Sequence, residues 1–224
     1  MKLYMHPVSN TSRPVRLFIA EHKLPVEEQV VDLFTGEHYK EPYVTINPNH
    51  MVPMLEDGDL RLGESSAILK YLASKFELPE YPTELKLRAK LDEIMDWYNT
   101  QFDRDYGYGL TYPQIYPHHK RPGDDHQDGT IEWGKKMSME WFQILDRHWL
   151  GPDRNWLVGD RITIADYFGA CLVTIGEVIR CDFTQFPNVS RWLDNMRKLG
   201  SWASINEAHH GFINAVKDQP FKAL

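Results

Sequence analysis

Cysteine is scarce in this chain of 224 residues, and none occurs among the first 170. The two cysteines, Cys171 and Cys181, fall in a segment whose pattern predicts a helix and the turn after it. Such an arrangement is not the framework of a disulfide-stapled secreted protein. It favours a cytoplasmic protein, and the missing N-terminal thiol disfavours a disulfide reductase.

An excess of positive charge is absent too. Lys and Arg number 25 against 32 Asp and Glu, which gives a formal net charge of −7. Without a basic field to neutralise phosphates, a nucleic-acid partner is disfavoured. No apolar run approaches the ~18 residues of a membrane span, and residues 1–10 lack the apolar core of a signal peptide. With 42% hydrophobic residues, the composition is that of an ordinary globular protein.

Residues 1–78 alternate between strand and helix signals. The predicted order from the N-terminus is a strand at 1–5, a helix at 12–23, a strand at 26–33, an irregular helix at 36–47, two strands around an Asp57-Gly58 turn, and a helix from Ser65. This βαβ-ββα order predicts a thioredoxin-like α/β domain over residues 1–78.

A proline-bearing linker at residues 79–84 marks the domain boundary, because the pattern beyond it is helical throughout. The predicted elements are a long amphipathic helix to Phe102, a loop at 109–129, a helix at 131–150, a buried helix opened by a Thr163–Asp166 capping box, and two shorter helices near 188–198 and 201–216. Residues 85–224 are therefore predicted to form an all-α domain.

Ser9 stands where a thioredoxin-like domain usually carries its reactive thiol. It precedes a predicted helix, whose first N–H groups and dipole favour an anion. A serine hydroxyl there can donate a hydrogen bond to a thiolate supplied by a ligand, and glutathione is the abundant small thiol. The alternative interpretation is that Ser9 or Ser12 only caps the helix.

Two further motifs suit a peptide-like ligand. Val52-Pro53 opens a strand, and a cis-proline there would expose the backbone N–H and C=O of Val52 for pairing. Glu64-Ser65 begins a helix, so the N-terminus and the hydroxyl suit a carboxylate while the acid suits an ammonium. Together these groups fit an α-amino-acid head group, although an edge proline and an ordinary helix cap remain alternatives.

The order of these motifs resembles the glutathione S-transferase family. It runs from Ser9 and Arg13 through Thr35-Gly36-Glu37-His38, Val52-Pro53, Asp57-Gly58 and Glu64–Ile68 to the capping box. The chain is most similar to theta-like, serine-using members of bacteria and animals. The resemblance covers nearly the whole chain, and it implies a homodimer that binds glutathione as its co-substrate.

The resemblance implies a role for each motif. Ser9 would hydrogen-bond the glutathione sulfur, with Ser12 as the alternative. Val52, with Pro53 in cis, would pair with the cysteinyl backbone. Glu64 and Ser65 would hold the γ-glutamyl end, and His38 would reach the glycyl carboxylate. Met51 departs from the Lys or Gln that the family often has, so one polar contact is expected to be missing.

Aromatic residues are dense between 97 and 116, where seven of twenty positions are Trp, Tyr or Phe. In the family this segment lies over the sulfur, so a hydrophobic electrophile pocket is expected there. The predicted pocket residues are Tyr98, Phe102, Arg104, Tyr106 and Tyr108. The histidines farther along the chain lack the spacing of metal ligands, so no metal site is expected.

The sequence thus predicts a glutathione transferase whose bound thiolate attacks a hydrophobic electrophile. One alternative is a glutathione-dependent dehalogenase, since His6-Pro7-x-Ser9 resembles the start of bacterial dichloromethane dehalogenases in the same family. Another alternative is a glutathione-binding or interaction module without turnover. Cys171 and Cys181 are predicted to take no part in catalysis.

Overall fold

The computed structural model describes residues 1–224. Residues 1–75 form a four-stranded mixed sheet with three helices. The strands are β1 (Lys2–Met5), β2 (Glu27–Val30), β3 (Met54–Asp57) and β4 (Leu60–Leu62). The helices are α1 (Ser12–His22), α2 (Tyr43–Ile46) and α3 (Ser65–Lys75). The predicted element order is confirmed.

The sheet has the order β2-β1-β3-β4, with β1 parallel to β2 and antiparallel to β3. Leu3 and Met5 of β1 are buried, whereas every residue of β2 is exposed, as in an edge strand. The predicted irregular helix at 36–47 is split into a 3₁₀ turn at Glu37–Tyr39 and α2, with a cis Glu41–Pro42 bond between them.

The rest of the chain is helical. The α-helices are α4 (Leu85–Trp97), α5 (Asp103–Asp105), α6 (Tyr112–Ile115), α7 (Asp124–Ile144), α8 (Ile164–Thr174), α9 (Pro187–Met196) and α10 (Trp202–Val216). Turns of π-helix cover Tyr98–Phe102, Tyr106–Thr111 and Leu145–Leu150, and 3₁₀ turns cover Pro117–His119 and Ile175–Ile179. None of these helices is both long and apolar enough to span a membrane.

The loop predicted at 109–129 is wrong for most of its length. The helix that begins as α4 continues through α6, and α7 begins at Asp124. Two glycines in this region allow a close helix crossing and do not break helices: a Cβ added to Gly134 would lie 2.4 Å from the carbonyl carbon of Gly109. Because only glycine fits there, a glycine-rich sequence marks a packing contact.

One hydrophobic core of 44 buried residues runs from the sheet into the helices. Helix α1 packs on α8, where the ring of Phe18 meets the edge of Tyr167 at 5.2 Å between centroids. The predicted capping box at Thr163–Asp166 is present at the start of α8. We retain residues 1–78, 79–84 and 85–224 as the proposed first domain, linker and helical domain.

Candidate functional site

Ser9 lies in the turn before α1 and is 8% exposed. Its carbonyl accepts the backbone N–H of Arg13 at 3.0 Å, and its Oγ accepts the backbone N–H of Ser12 at 3.2 Å. Ser9 therefore caps α1 as an acceptor. This role uses a lone pair of the hydroxyl and leaves its proton for another partner.

That partner in the structure is Thr11, which sequence reasoning missed. The Thr11 hydroxyl donates to the carbonyl of Val52 at 2.9 Å, and it lies 3.2 Å from Ser9 Oγ. A hydroxyl has one proton, so in this pair Ser9 is the donor and Thr11 the acceptor. The hydroxyl of Thr11 thus ties Ser9 to the loop that carries Val52.

Ser12, the alternative to Ser9, is completely buried, and its Oγ has no hydrogen-bond partner. A hydroxyl enclosed in this way cannot contact a ligand without repacking of α1. The position of Ser12 therefore favours Ser9 as the hydroxyl that faces a ligand.

Val52 and Pro53 are joined by a cis peptide bond. The loop is held by Met51, whose carbonyl accepts hydrogen bonds from the Tyr43 hydroxyl at 2.5 Å and from Asn47 Nδ2 at 2.7 Å. The Met51 side chain is half exposed. The backbone N–H of Val52 makes no hydrogen bond within the chain, which leaves a donor for an extended ligand beside Ser9.

Glu64 and Ser65 stand at the N-terminus of α3. Glu64 has a positive φ of 59° and its side chain makes no capping hydrogen bond. Ser65 is buried, but its hydroxyl also has no partner within the chain. Positive φ is rare and costly for a residue with a Cβ, and such strain is concentrated at functional sites. The geometry leaves a carboxylate, a hydroxyl and free helix N–H groups together.

His38 lies in the 3₁₀ turn after β2, and its Nδ1 is buried without a partner. His50, a second residue that sequence reasoning missed, has Nδ1 3.2 Å from the His38 carbonyl. Burial, followed by His118 and His50, lowers the pKa of His38, so the ring is neutral at neutral pH. No group of three or more His, Cys, Asp or Glu side chains is arranged to hold a metal ion.

The predicted electrophile pocket needs correction. Tyr98, Phe102 and Tyr106 are all 0% exposed. They continue the apolar stripe of α4 into the core of the helical domain, where the Phe102 and Tyr106 rings pack on Phe142 at 5.1 and 4.9 Å. Side chains with no exposed surface cannot line a pocket, so these three belong to the core.

A second aromatic stripe on the same helical segment contacts the Ser9 turn through Tyr112. It consists of Tyr108, Tyr112 and Tyr116, again four residues apart. The Tyr112 hydroxyl accepts a hydrogen bond from Nδ2 of Asn10, the residue after Ser9, at 3.2 Å. The rings of Tyr108 and Tyr112 meet edge to face at 4.9 Å. Of the predicted pocket residues, only Tyr108 belongs to this stripe.

Two rings from distant parts of the chain extend the second stripe. Phe212 of α10 stacks on Tyr116 at 6.2 Å, and Phe34 lies 6.4 Å from Phe212 and 5.2 Å from the ring of His6. Phe34 is 66% exposed, so an apolar surface remains open beside the Ser9 turn. We call the rings of Tyr108, Tyr112, Tyr116, Phe34 and Phe212 the aromatic cleft.

Arg104 lies outside the aromatic cleft. Its guanidinium pairs with Asp105 at 2.7 Å, and Asp105 also accepts the indole N–H of Trp141 at 2.7 Å. Arg104 and Tyr108 line a surface cavity of about 720 Å³ between the α4–α6 segment and α7. That cavity contains none of the predicted glutathione contacts, so the structure does not bring Arg104 together with Ser9.

Both cysteines are shielded. Cys171 is completely buried on α8, and burial raises the pKa of its thiol to about 11. Burial also raises the pKa of Cys181. The neighbouring Arg180 donates its hydrogen bonds to the carbonyls of Lys217 and Gln219. Both thiols are therefore protonated at neutral pH, which supports their predicted lack of a catalytic role.

Comparison with known proteins agrees with this arrangement. Residues 1–74 match the N-terminal domain of glutathione S-transferases, and residues 135–199 match the C-terminal domain. Glutathione S-transferase theta-1 of Bos taurus is 30% identical over 229 residues, which cover 98% of this chain and 92% of that protein. The chain belongs to the glutathione S-transferase family. Membership confirms the predicted fold class and the predicted transferase class.

Solved glutathione S-transferase structures share the whole fold. Human glutathione transferase theta-2, in complex with glutathione and an unknown ligand, is 28% identical with a TM-score of 0.83, covering 100% of this chain and 93% of that one. A glutathione transferase homologue of Drosophila mojavensis with bound glutathione is 26% identical with a TM-score of 0.83, covering 100% and 98%. The theta-class relatives confirm the predicted likeness to that class.

Proposed function

We propose that this glutathione S-transferase binds glutathione along the Ser9 turn and catalyses attack of its thiolate on a hydrophobic electrophile. One observation carries the proposal: the Thr11 hydroxyl bridges Ser9 Oγ and the Val52 carbonyl, so the thiol-facing hydroxyl and the peptide-pairing loop lie side by side. Solved relatives with bound glutathione support the choice of ligand.

The ligand follows these groups in order. The cysteinyl carbonyl of glutathione accepts a hydrogen bond from the free N–H of Val52. The cysteinyl N–H donates a hydrogen bond to the Val52 carbonyl. The γ-glutamyl carboxylate accepts hydrogen bonds from the Ser65 hydroxyl and from the first N–H groups of α3, while the Glu64 carboxylate accepts a hydrogen bond from the ammonium. The glycyl carboxylate lies toward His38 and His50. The sulfur then lies against Ser9.

Ser9 acts by exchanging one acceptor for another. The Ser9 hydroxyl keeps its proton and donates it to the sulfur in place of Thr11, so a neutral hydrogen bond of ~1 kcal/mol is replaced by a charge-assisted one of ~1.5–3 kcal/mol. The N-terminus of α1 adds ~0.3–1 kcal/mol. Each pKa unit corresponds to ~1.4 kcal/mol, so the thiol pKa falls by about one unit or more. The thiol proton leaves to solvent.

The chemical step needs only the thiolate and the electrophile. The sulfur forms a bond to the electrophilic carbon, and the leaving group departs with its bonding electron pair. The aromatic cleft holds the apolar electrophile beside the sulfur, since Asn10 joins Tyr112 directly to the Ser9 turn. A halide leaving group makes the same step a dehalogenation, so the dehalogenase alternative differs only in its substrate.

The test compares Ser9→Ala with Ser12→Ala, which removes the enclosed hydroxyl three residues away. Calorimetric titration with glutathione measures affinity, and thiolate absorbance in the ultraviolet gives the pKa of the bound thiol. We expect Ser9→Ala to raise that pKa by about one unit with little change in affinity, and Ser12→Ala to leave it unchanged. A pKa raised only in Ser12→Ala would assign the role to Ser12.

A panel of electrophiles separates the remaining alternatives. Conjugation of an aryl halide or epoxide supports a general transferase, and steady halide release from a dihalomethane supports the dehalogenase. Tight glutathione binding without turnover of any electrophile would support a non-catalytic module. We further propose a cytoplasmic homodimer, as the family resemblance implies. A mass of about 26.3 kDa, that of one chain, measured by light scattering would contradict the dimer.

A further inference from the structure

Arg13 carries a charge that is completely buried. Its guanidinium donates hydrogen bonds to Asn206 Oδ1 at 2.7 Å, the Cys171 carbonyl at 2.9 Å, Asn10 Oδ1 at 3.0 Å and Thr174 Oγ1 at 3.2 Å. All four partners are neutral, and no carboxylate forms an ion pair with it. The Nε of Arg13 has no partner at all.

A cation buried in this way is costly, because burial removes its hydration and no opposite charge replaces it. If Arg13 served only to join helices, a neutral side chain or an ion pair would do so at lower cost. The missing counter-ion has one electrostatic consequence: the charge is not cancelled locally. Its field extends through the low-dielectric interior around α1.

Arg13 stands one helical turn after Ser9, and its backbone N–H donates to the Ser9 carbonyl. Its guanidinium also donates a hydrogen bond to the side chain of Asn10, the residue that follows Ser9. Asn10 in turn donates a hydrogen bond to the Tyr112 hydroxyl. The charge therefore lies directly behind the turn that faces the sulfur. At ~10 Å and an effective dielectric constant of ~20, one unit charge shifts the pKa of a thiol by about one unit.

We propose that Arg13 is a positioning residue that stabilises the glutathione thiolate through its uncancelled buried charge while it holds Asn10 behind Ser9. The inference rests on the proposed function and deepens it, since it adds a second source of thiolate stabilisation. The hydroxyl of Ser9 acts at contact with the sulfur, whereas Arg13 acts through the protein interior.

The other charged groups around Arg13 do not cancel its field. Glu177 pairs with Arg197 at 2.9 Å and lies 3.7 Å from His209 Nε2. Burial, followed by Arg13, lowers the pKa of His209 to about 4, so His209 is neutral. Cys171 of α8 is neutral as well.

Tyr116, on the ligand side, responds to the same field. Burial raises the pKa of Tyr116 to about 12, and Arg13 opposes that rise. On the Ser9 turn itself, burial lowers the pKa of His6, with Asp32 opposing and Arg16 assisting. Glu64 is exposed at the N-terminus of α3. The charge of Arg13 thus reaches the edge of the aromatic cleft.

The decisive variant is Asn206→Asp, which places a carboxylate on the acceptor that is now 2.7 Å from Arg13. The new ion pair cancels the charge with no change in side-chain size. The matched control is Asn214→Asp, the same substitution at an exposed position of α10. The bound-thiol pKa is measured by ultraviolet titration. We expect a rise of about one unit in Asn206→Asp and none in Asn214→Asp.

Asn206 also donates to the Trp202 carbonyl at 2.9 Å, a bond that the aspartate loses, so folding is checked by circular dichroism. An Arg13 variant supplies an independent route. Arg13→Gln keeps hydrogen-bond donors but carries no charge. We expect this variant to raise the bound-thiol pKa, whatever its melting temperature.

The outcomes distinguish failure of the Arg13 inference from failure of the proposed function on which it rests. If Ser9→Ala raises the bound-thiol pKa while Asn206→Asp and Arg13→Gln match the wild type, the Arg13 proposal is wrong and the proposed function stands. If the wild type does not bind glutathione, or binds it with an unshifted thiol pKa, the proposed function fails and this inference fails with it.

Discussion

Helices α3 and α8 both begin beside one acidic and one hydroxyl side chain. Only at α8 are these side chains hydrogen-bonded within the chain. Asp166, at the start of α8, accepts hydrogen bonds from the backbone of Thr163 and Leu157 and from the indole of Trp192, all within 2.9 Å. Glu64 and Ser65, at the start of α3, make no side-chain capping bond. One helix terminus is closed and the other is open.

The difference shows what each terminus is for. In the closed terminus both carboxylate oxygens of Asp166 accept hydrogen bonds from within the chain, so their value is stability. In the open terminus a hydroxyl and a carboxylate are left unpaired, and the positive φ of Glu64 adds strain. Groups left unpaired in a folded chain do not stabilise it, but they are available to a ligand. Substitutions at the two termini should therefore separate stability from binding.

The largest effect is expected at the closed terminus. Asp166→Ala leaves two backbone N–H groups and one indole N–H buried without acceptors, at ~1–3 kcal/mol each. We expect the free energy of unfolding to fall by about 4 kcal/mol in urea titrations. Asp166→Asn, which keeps one acceptor oxygen, should lose less. A loss below ~1 kcal/mol in Asp166→Ala would show that this terminus is not essential.

The next-largest effect is expected at the close helix crossing between Gly134 and Gly109 in the helical domain. Gly134→Ala drives a Cβ to 2.4 Å from the backbone of Gly109, and overpacking of this kind costs ~2–3 kcal/mol. Gly129→Ala is the matched control on α7, because its Cβ would meet nothing within 4 Å. We expect urea unfolding to show destabilisation at 134 and a gain of ~0.5–1 kcal/mol at 129. Equal effects would contradict the tight crossing.

The open terminus should respond in binding alone. Glu64→Ala removes the acceptor for the glutathione ammonium, so affinity measured by calorimetry should fall by ~1.5–3 kcal/mol, the value of a hydrogen bond to a charged group. Its free energy of unfolding should change by less than ~0.5 kcal/mol. Asp59→Ala, an exposed acid in the β3–β4 turn, controls for net charge. Loss of stability without loss of affinity would make Glu64 a cap.

The smallest effect is expected at a buried histidine of α10 whose ring is not fully hydrogen-bonded. His209 is buried with Nδ1 unpaired, and burial lowers its pKa from 6.5 to about 4. The folded state therefore binds fewer protons than the unfolded state between these values, so this contribution to stability is complete above pH 6.5 and is lost as pH falls toward 4.

The matched pair for this effect is His209→Gln and the exposed His210→Gln. Lowering the pH from 7 to 5.5 should cost the wild type ~1 kcal/mol more than it costs His209→Gln. His210→Gln should follow the wild type. Urea titrations at the two pH values measure both differences. Identical pH dependence in His209→Gln and the wild type would contradict a neutral buried His209.

Much of the frame could be predicted from local signals. The Asp57-Gly58 turn, the capping box and the start of α1 depend on residues within a few positions of one another, and all three are present. Gly109 failed as a loop signal, because it is required where its helix crosses Gly134 of α7. A glycine alone cannot show whether it permits a turn or a close approach.

The candidate site was harder to predict where it depends on distant contacts. Two aromatic stripes share the segment 98–116, and both have four-residue spacing. Only the packing of α7 against that segment decides which stripe is core, so periodicity favoured the wrong one. Thr11 meets Val52 across 41 positions of sequence, and no local pattern records that bond.

Arg13 ties the first proposed domain to the second. Three of its four hydrogen-bond partners lie on α8 and α10. A chain that ended at residue 78 would expose this guanidinium and the ring of Phe18 without their partners. We therefore expect the two halves to unfold in a single cooperative transition. Exchanging one half for that of a relative would preserve the fold only if the residues that receive Arg13 were exchanged with it.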